Sequence, residues 1–451
     1  MRSGIVEAAS SPLSGRGGAK KEATRTSLLR WGVSRNGTLA FDAPRRRPHN
    51  PRLMKFVYLA GYLAMPAALV VHFWFGRGAA PSWEPTLTFI LSGLSIVPLA
   101  GLMGEATEHL AQKTGPTWGG LLNATFGNAA ELIIGIVSIT KGLNDIAKAT
   151  LAGSILGNLL LVSGGAMLVG GWGRERQTFS KSSANTNAGL LTVAVAGMLL
   201  PAIFHFSYSG RDPHLLAHET GISIGTSVVL LLVYGLGLLF TLRTYGHIFS
   251  PSPARSDEDP RGLDGSWSVK KSVLVLLAAS AAVAVFSELL VGAVEPAAHR
   301  LGLNYLFIGV ILLAIIGNAS EHYTAILLAH RNDMDTAMSI TFQSSLQIAL
   351  FVTPILVLLS SVLEMMAVGS SRRMDLVFSP LEVVGVFLSV AVVVTVSRNG
   401  QSTWFEGILL LAVYAILGIT FFYIPTGHGP NQAEHIYDIP SHRSGSSSSR
   451  E

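Results

Sequence analysis

Two glutamates lie where ionisable groups are rare. Glu131 in LLNATFGNAAE (121–131) and Glu321 in ILLAIIGNASE (311–321) each interrupt an apolar run long enough to cross a bilayer. A carboxylate there is costly and marks an ion path, a proton relay or a ligand site. Adding 190 to Gly127, Asn128, Ala129 and Glu131 gives Gly317, Asn318, Ala319 and Glu321. The same offset carries Ser154 to Ser344 and Val162 to Val352, so the register outlasts a second helix. One ancestral unit used twice explains this economically.

The chemistry follows from the donor types. Asn128 and Glu131 are three residues apart and share a helix face, as do Asn318 and Glu321. Two carboxylates and two amide oxygens suit a hard divalent cation such as Ca²⁺, which takes six to eight oxygens. Facing glutamates at low dielectric hold one such ion or take up about two protons. Competition for one site is the logic of an exchanger. The bland alternative, a protonated glutamate acting as helix glue, fits a lone residue better than a duplicated pair. Gly127 and Gly317 either let a neighbouring helix come close or let the helix loosen and present carbonyls. The partner helix of the first repeat carries Ser154 and Asn158, and that of the second carries Ser344 and Gln347. These read as further ligands or holders of the glutamates, with interhelical hydrogen bonding as the alternative. Asn123 and Gln343 belong to the group with less weight.

A second pair, Thr107–Glu108 and Ser287–Glu288, repeats with an offset of 180. Glu108 and Glu288 are candidate cation gates, or else solvent-facing charges at helix ends, as Glu105 and Glu295 are expected to be. His322 has Leu132 as its counterpart and so breaks the symmetry. It is a candidate proton relay, although adjacent residues diverge by about 100° around a helix. The segment SDEDPRGLDG (256–265) is no EF-hand. Arg261 falls at the fifth position from Asp257 and Ser268 at the twelfth, where oxygen ligands are required.

The elements that position these residues are membrane helices. The 451-residue chain is 49% hydrophobic and only 13% charged, roughly half the charge of a soluble domain. It has no cysteine, which excludes disulfides and thiolate sites. Eleven apolar windows are expected to span: 56–76, 86–112, 117–141, 144–170, 187–207, 222–243, 270–291, 303–329, 334–362, 376–396 and 404–424. The expected fold class is therefore an all-α integral membrane bundle. The first span stands outside the repeat, 86–243 and 270–424 form two five-helix halves, and 244–269 is a polar cytosolic linker. A unit with an odd number of spans must be inverted in its second copy, which brings equivalent residues together near the midplane. Residues 1–55 carry twelve Lys or Arg against three acids. This suggests a disordered cytosolic tail, with an organelle transit peptide as the alternative. A cytosolic N-terminus puts eleven basic loop residues on the cytosolic face and seven opposite, Lys148 counted among the seven. The tail 425–451 is expected to be disordered.

At these residues the chain resembles the CAX group of cation/proton exchangers, within the Ca²⁺/cation antiporter superfamily. The resemblance spans 56–424 and rests on GNAAELIIGIVSITKGLNDIAKATLAGSILGNLLLV (127–162) and GNASEHYTAILLAHRNDMDTAMSITFQSSLQIALFV (317–352). GEATEHLAQKTGPTWGGLLNATF (104–126) and FSELLVGAVE (286–295) add to it. It implies one extra helix before two inverted five-helix halves. Glu131 and Glu321 would be the shared Ca²⁺/H⁺ ligands, with Asn128, Asn318, Ser154, Ser344 and Gln347 in the site region. The chain departs from the family pattern at Gln343, where a Gly is usual, and at Gly157, where many relatives are polar. The Ser- and Pro-containing variant of sodium/calcium exchangers is absent from both copies, which favours proton coupling. The expected function is antiport of cytosolic Ca²⁺ against H⁺, with Na⁺, K⁺ or Mn²⁺ exchange at the same site as the alternative. No enzymatic activity, resident cofactor or nucleic-acid partner is expected, and HExxH is absent. A channel would conduct without pH coupling. A bacterial plasma membrane and a vacuolar or other endomembrane both suit the sequence, which leaves oligomeric state open.

Overall fold

The computed structural model describes residues 31–33, 39–41, 52–76, 81–114, 116–244, 267–366 and 373–425. Two units emerge, divided at Arg52. In the first, β1 (Trp31–Val33) pairs antiparallel with β2 (Leu39–Phe41), Trp31 opposite Phe41. This short pairing lies within the stretch expected to be a disordered tail. The segment 256–265 and the tail 426–451 lie outside the described residues.

The second unit is almost wholly helical. Its helices are α1 (Arg52–Val70, running on as a π turn, Val71–Phe75), α2 (Glu84–Thr114), α3 (Pro116–Phe126) and α4 (Ala129–Thr140). Then come α5 (Asn144–Gly171), α6 (Lys181–Tyr208), α7 (Leu215–Thr244) and α8 (Val269–Leu301). The last four are α9 (Tyr305–His330), α10 (Met334–Met365), α11 (Pro380–Ser397) and α12 (Trp404–Phe422). Ten of the described helices are long and apolar enough to cross a membrane. The exception is the third expected span, 117–141, which is split into α3 and α4 by a break at Gly127–Asn128.

Local sequence explains where helices begin and end. Ser379 and Thr403 start α11 and α12 with reciprocal capping boxes to Glu382 and Glu406. Gly302 closes α8 at φ 65°, a conformation that costs glycine little.

Burial orders the helices from centre to rim. The most apolar window of α5 is 78% buried and that of α10 61%, against 17% for α7 and α12. The helices that carry Ser154 and Ser344 are therefore the centre of the bundle, and α7 and α12 lie at its rim. The first helices of the two halves, α2 and α8, pack against each other along the most extensive contact in the unit. Lipid is as apolar as leucine, so such contacts depend on close backbone approach rather than on expulsion of water. Small residues provide it where α5 meets α9: a Cβ on Gly153 would lie 2.1 Å from the Val310 carbonyl oxygen, and one on Gly309 would lie 2.4 Å from Ala149 Cβ.

Loop contacts agree with a chain that threads back and forth. On one face, β3 (Gln177–Thr178) pairs with β4 (Gln401–Ser402), and Gln177 donates to Asn332 Oδ1 at 3.1 Å. On the other, Lys148 pairs with Asp375 at 2.6 Å, and Asn304 donates to the Phe421 carbonyl at 2.7 Å.

Candidate cation site

The break in the third span sits at the first Gly-Asn pair. Gly127 N–H still reaches the Asn123 carbonyl at 2.8 Å, but Asn128 (φ −111°, ψ 32°) leaves helical geometry before α4 begins. Two helix ends are thereby opened inside the bundle. The last carbonyls of α3 and the first amides of α4 lose helical partners, the arrangement discontinuous membrane helices use to meet ions. Glu131 falls in the first turn of α4, where free amides favour a carboxylate. A Cβ on Gly127 would lie 3.3 Å from Gln347 Oε1, so the glutamine fills the notch that the glycine leaves.

Polar side chains then link the two halves. Asn128 Nδ2 donates to Gln347 Oε1, Ser344 Oγ donates to Asn128 Oδ1 at 3.1 Å, and Asn158 Nδ2 donates to Ser344 Oγ at 2.8 Å. Asn318 Nδ2 donates to Ser154 Oγ at 2.9 Å and to the Ala314 carbonyl at 3.0 Å. Asn128–Ser344 and Asn318–Ser154 join equivalent residues under the 190-residue offset, each crossing from one half to the other, with the serine donating in the first and accepting in the second. All six of these side chains are buried.

The glutamates lie among them. Glu131 is buried, and a Cβ on Gly317 would lie 3.1 Å from its Oε1. Gly317 is one turn before Glu321 on α9, so the Glu131 carboxyl reaches the helix that carries Glu321. Glu321 Oε2 and Asn318 Oδ1 are buried without a partner. Buried oxygens are ordinarily satisfied; two left over beside a second carboxylate fit a cation as the missing partner.

The remaining candidates take no part in these hydrogen bonds. The His322 ring packs 3.8 Å from where a Cβ of Gly157 would stand, with Nε2 buried and unpartnered, so it faces α5. Glu288 is more than half exposed and pairs with Lys141 at 2.6 Å. Glu108 is half-buried on α2, Gln343 is half-buried and Asn123 is exposed. Two features carried no signal in the sequence. Tyr58 Oη of α1 and Ser320 Oγ, next to Glu321, both border the place a Cβ on Gly101 would take, so the helix outside the repeat reaches the site. Lys148, counted as a loop charge, is buried at the start of α5.

Membrane-length helices packed around buried carboxylates and carboxamides define a multi-pass membrane transporter rather than an enzyme. The chain belongs to the sodium/calcium exchanger protein family, which it matches over residues 84–243 and 271–423. It is 43% identical to a Ca(2+)/H(+) antiporter of Synechocystis sp. over 82% of this chain and 98% of that one. It is 41% identical to the Ca(2+)/H(+) antiporter ChaA of Bacillus subtilis, over 76% and 94% of the two chains. The solved structure of native YfkE is similar at a TM-score of 0.66 and 36% identity, covering 82% of this chain and all (100%) of that one.

Proposed function

We propose that this protein is a secondary antiporter that moves Ca²⁺ out of the cytosol in exchange for H⁺, through one site shared by Glu131 and Glu321. The observation that carries the reading is the crosswise pairing of Asn128 with Ser344 and of Asn318 with Ser154 around the two carboxyls, with Asn318 Oδ1 and Glu321 Oε2 left unpartnered. Asn128, Asn318, Ser154, Ser344 and Gln347 hold the carboxyls in place and supply neutral oxygens. The relatives named as Ca(2+)/H(+) antiporters supply the identity of the ions. Two buried carboxylates need a compensating charge, and either Ca²⁺ or protons provide it. Exposure to an acidic side protonates them and releases the metal; exposure to the neutral side reverses this. Rocking of one half against the other presents the site to each side in turn.

In proteoliposomes, Ca²⁺ uptake should follow an imposed pH gradient and vanish in Glu131→Gln and in Glu321→Gln. Uptake that survives both substitutions rejects the shared site. Na⁺, K⁺ and Mn²⁺ added in turn show by competition whether another cation uses it.

A further inference from the structure

The helical ladder slips into π turns at four places among the described residues, Val71–Phe75, Gly157–Val162, Ile308–Leu313 and Ile348–Val352, and two of the four are equivalent. Gly157–Val162 in α5 and Ile348–Val352 in α10 are wound as π turns, and the offset of 190 carries the end of one, Val162, onto the end of the other, Val352. Such turns are rare and collect at functional sites. Each is followed by a hydroxyl residue, Ser163 and Thr353, again 190 apart. Both grip the carbonyl five residues back with two donors. The Ser163 N–H and hydroxyl both point at the Asn158 carbonyl, the hydroxyl at 3.1 Å. The Thr353 N–H and hydroxyl both reach the Ile348 carbonyl, the hydroxyl at 2.8 Å. Other helical hydroxyls, such as Ser138, Thr150 and Ser345, reach back four residues instead.

The turns stand directly beside the site. In α5 the gripped carbonyl belongs to Asn158 itself, and in α10 the turn begins one residue after Gln347. Returning a π turn to α geometry removes one residue from it, which rotates the helix on one side by about 100° and shifts it by about 1.5 Å. That slip would turn Asn158, Ser344 and Gln347 away from their partners. Ser163 has a further acceptor: its single proton is shared with Thr341 Oγ1, 3.0 Å away and one turn before Ser344 on α10. Leu151 occupies the position equivalent to Thr341, so the Thr353 clamp has no such cross-link.

We infer that Ser163 and Thr353 are positioning residues of the exchange site, a repeated pair of hydroxyl clamps that fix the π turns and hence the register in which Asn158, Ser344 and Gln347 face the cation. The inference rests on the proposed exchange reading for its transport arm and on backbone geometry for the rest.

The experiment compares Thr353→Val, Thr353→Ser, Ser163→Ala and Ser163→Thr in proteoliposomes, with hydrogen exchange followed at 157–163 and 348–353. Thr353→Val keeps the shape and loses the hydroxyl. It should raise the Ca²⁺ concentration for half-maximal uptake roughly three- to tenfold, the scale of one hydroxyl hydrogen bond, with a smaller change in maximal rate. Exchange at 348–353 should quicken by a similar factor, and Thr353→Ser should restore both. Ser163→Ala and Ser163→Thr should behave likewise at 157–163. A folded Thr353→Val with wild-type half-saturation and exchange overturns the inference, as does a Thr353→Ser variant as impaired as Thr353→Val. If Thr353→Val fails to fold, the Ser163 pair decides by the same criteria. Wild-type protein that moves no Ca²⁺ under a pH gradient defeats the exchange reading instead, and hydrogen exchange still judges the clamps.

Discussion

At the scale of single residues, glycines divide into those that shape the site and those that let helices meet. Gly317 faces Glu131 Oε1, the end of a side chain that can yield by a few tenths of an ångström. Gly317→Ala should fold and insert normally but displace the carboxyl, weakening half-saturation by Ca²⁺ about tenfold. A Cβ on Gly153 would collide with the Val310 carbonyl oxygen, and backbone cannot yield in that way. Gly153→Ala should therefore cost about 1–3 kcal/mol of stability by overpacking, read as a lower melting temperature in detergent. Equal melting temperatures for the two variants would contradict this division. The sequence made Gly127 and Gly317 conspicuous through their repetition but left open whether each loosens its helix or admits a neighbour. The structure uses one glycine for each purpose. Gly127 sits at a break, whereas α9 runs unbroken past Gly317 and brings it against Glu131. The shared Gly-Asn-Ala triplet cannot reveal that difference, because the deciding atoms, Gln347 Oε1 and Glu131 Oε1, belong to the other half of the chain.

At the scale of elements, hydropathy located the helices because the membrane imposes one length on all of them. It did not show the π turns, which change hydrogen-bond register without changing composition. The count of loop charges, rather than hydropathy, misplaced Lys148, which lies inside the 144–170 window. Proximity to the polar turn before α5 made it look like a loop charge, yet α5 is sunk so far into the bundle that the side chain is only 10% exposed. Its ammonium donates to Asp375 Oδ1 at 2.6 Å and to the Val377 carbonyl at 2.8 Å, fastening α5 of the first half to the segment that leads into α11 of the second. Removing one partner leaves the other under-compensated, whereas replacing both removes the problem together with the contact. Lys148→Met and Asp375→Asn should each destabilise the protein, and the double variant should be less destabilised than their sum, with a coupling of about 2 kcal/mol. Strict additivity in thermal melts would show that the pair is an ornament of the surface.

At the scale of the whole molecule, the two halves repeat in sequence but differ in conformation. The first Gly-Asn pair interrupts its helix and the second does not. One face joins the halves through the Lys148–Asp375 pair, while the other joins them through Gln177 and Asn332 and through Asp335, whose Oδ1 accepts from Ser180 N–H at 2.7 Å. If the second copy is inverted, as the odd number of expected spans requires, two copies in different conformations are what the proposed alternating access needs, since exchanging the conformations yields the same molecule facing the other way. Under the proposed mechanism the halves should then separate on one face as they close on the other. The chain contains no cysteine, so spin labels can be placed in pairs without background. Asp145→Cys with Arg373→Cys reports on one face, where Asn144 donates to the Arg373 carbonyl at 3.3 Å. Arg176→Cys with Asn332→Cys reports on the other, and all four positions are exposed. Moving from saturating Ca²⁺ to Ca²⁺-free acid should shift the two distance distributions in opposite directions, and Glu131→Gln should abolish the response to Ca²⁺. Distances that lengthen or shorten together would mean that the bundle breathes as one body. In that case the difference between the two Gly-Asn pairs would be a fixed asymmetry of the fold rather than one half of a cycle.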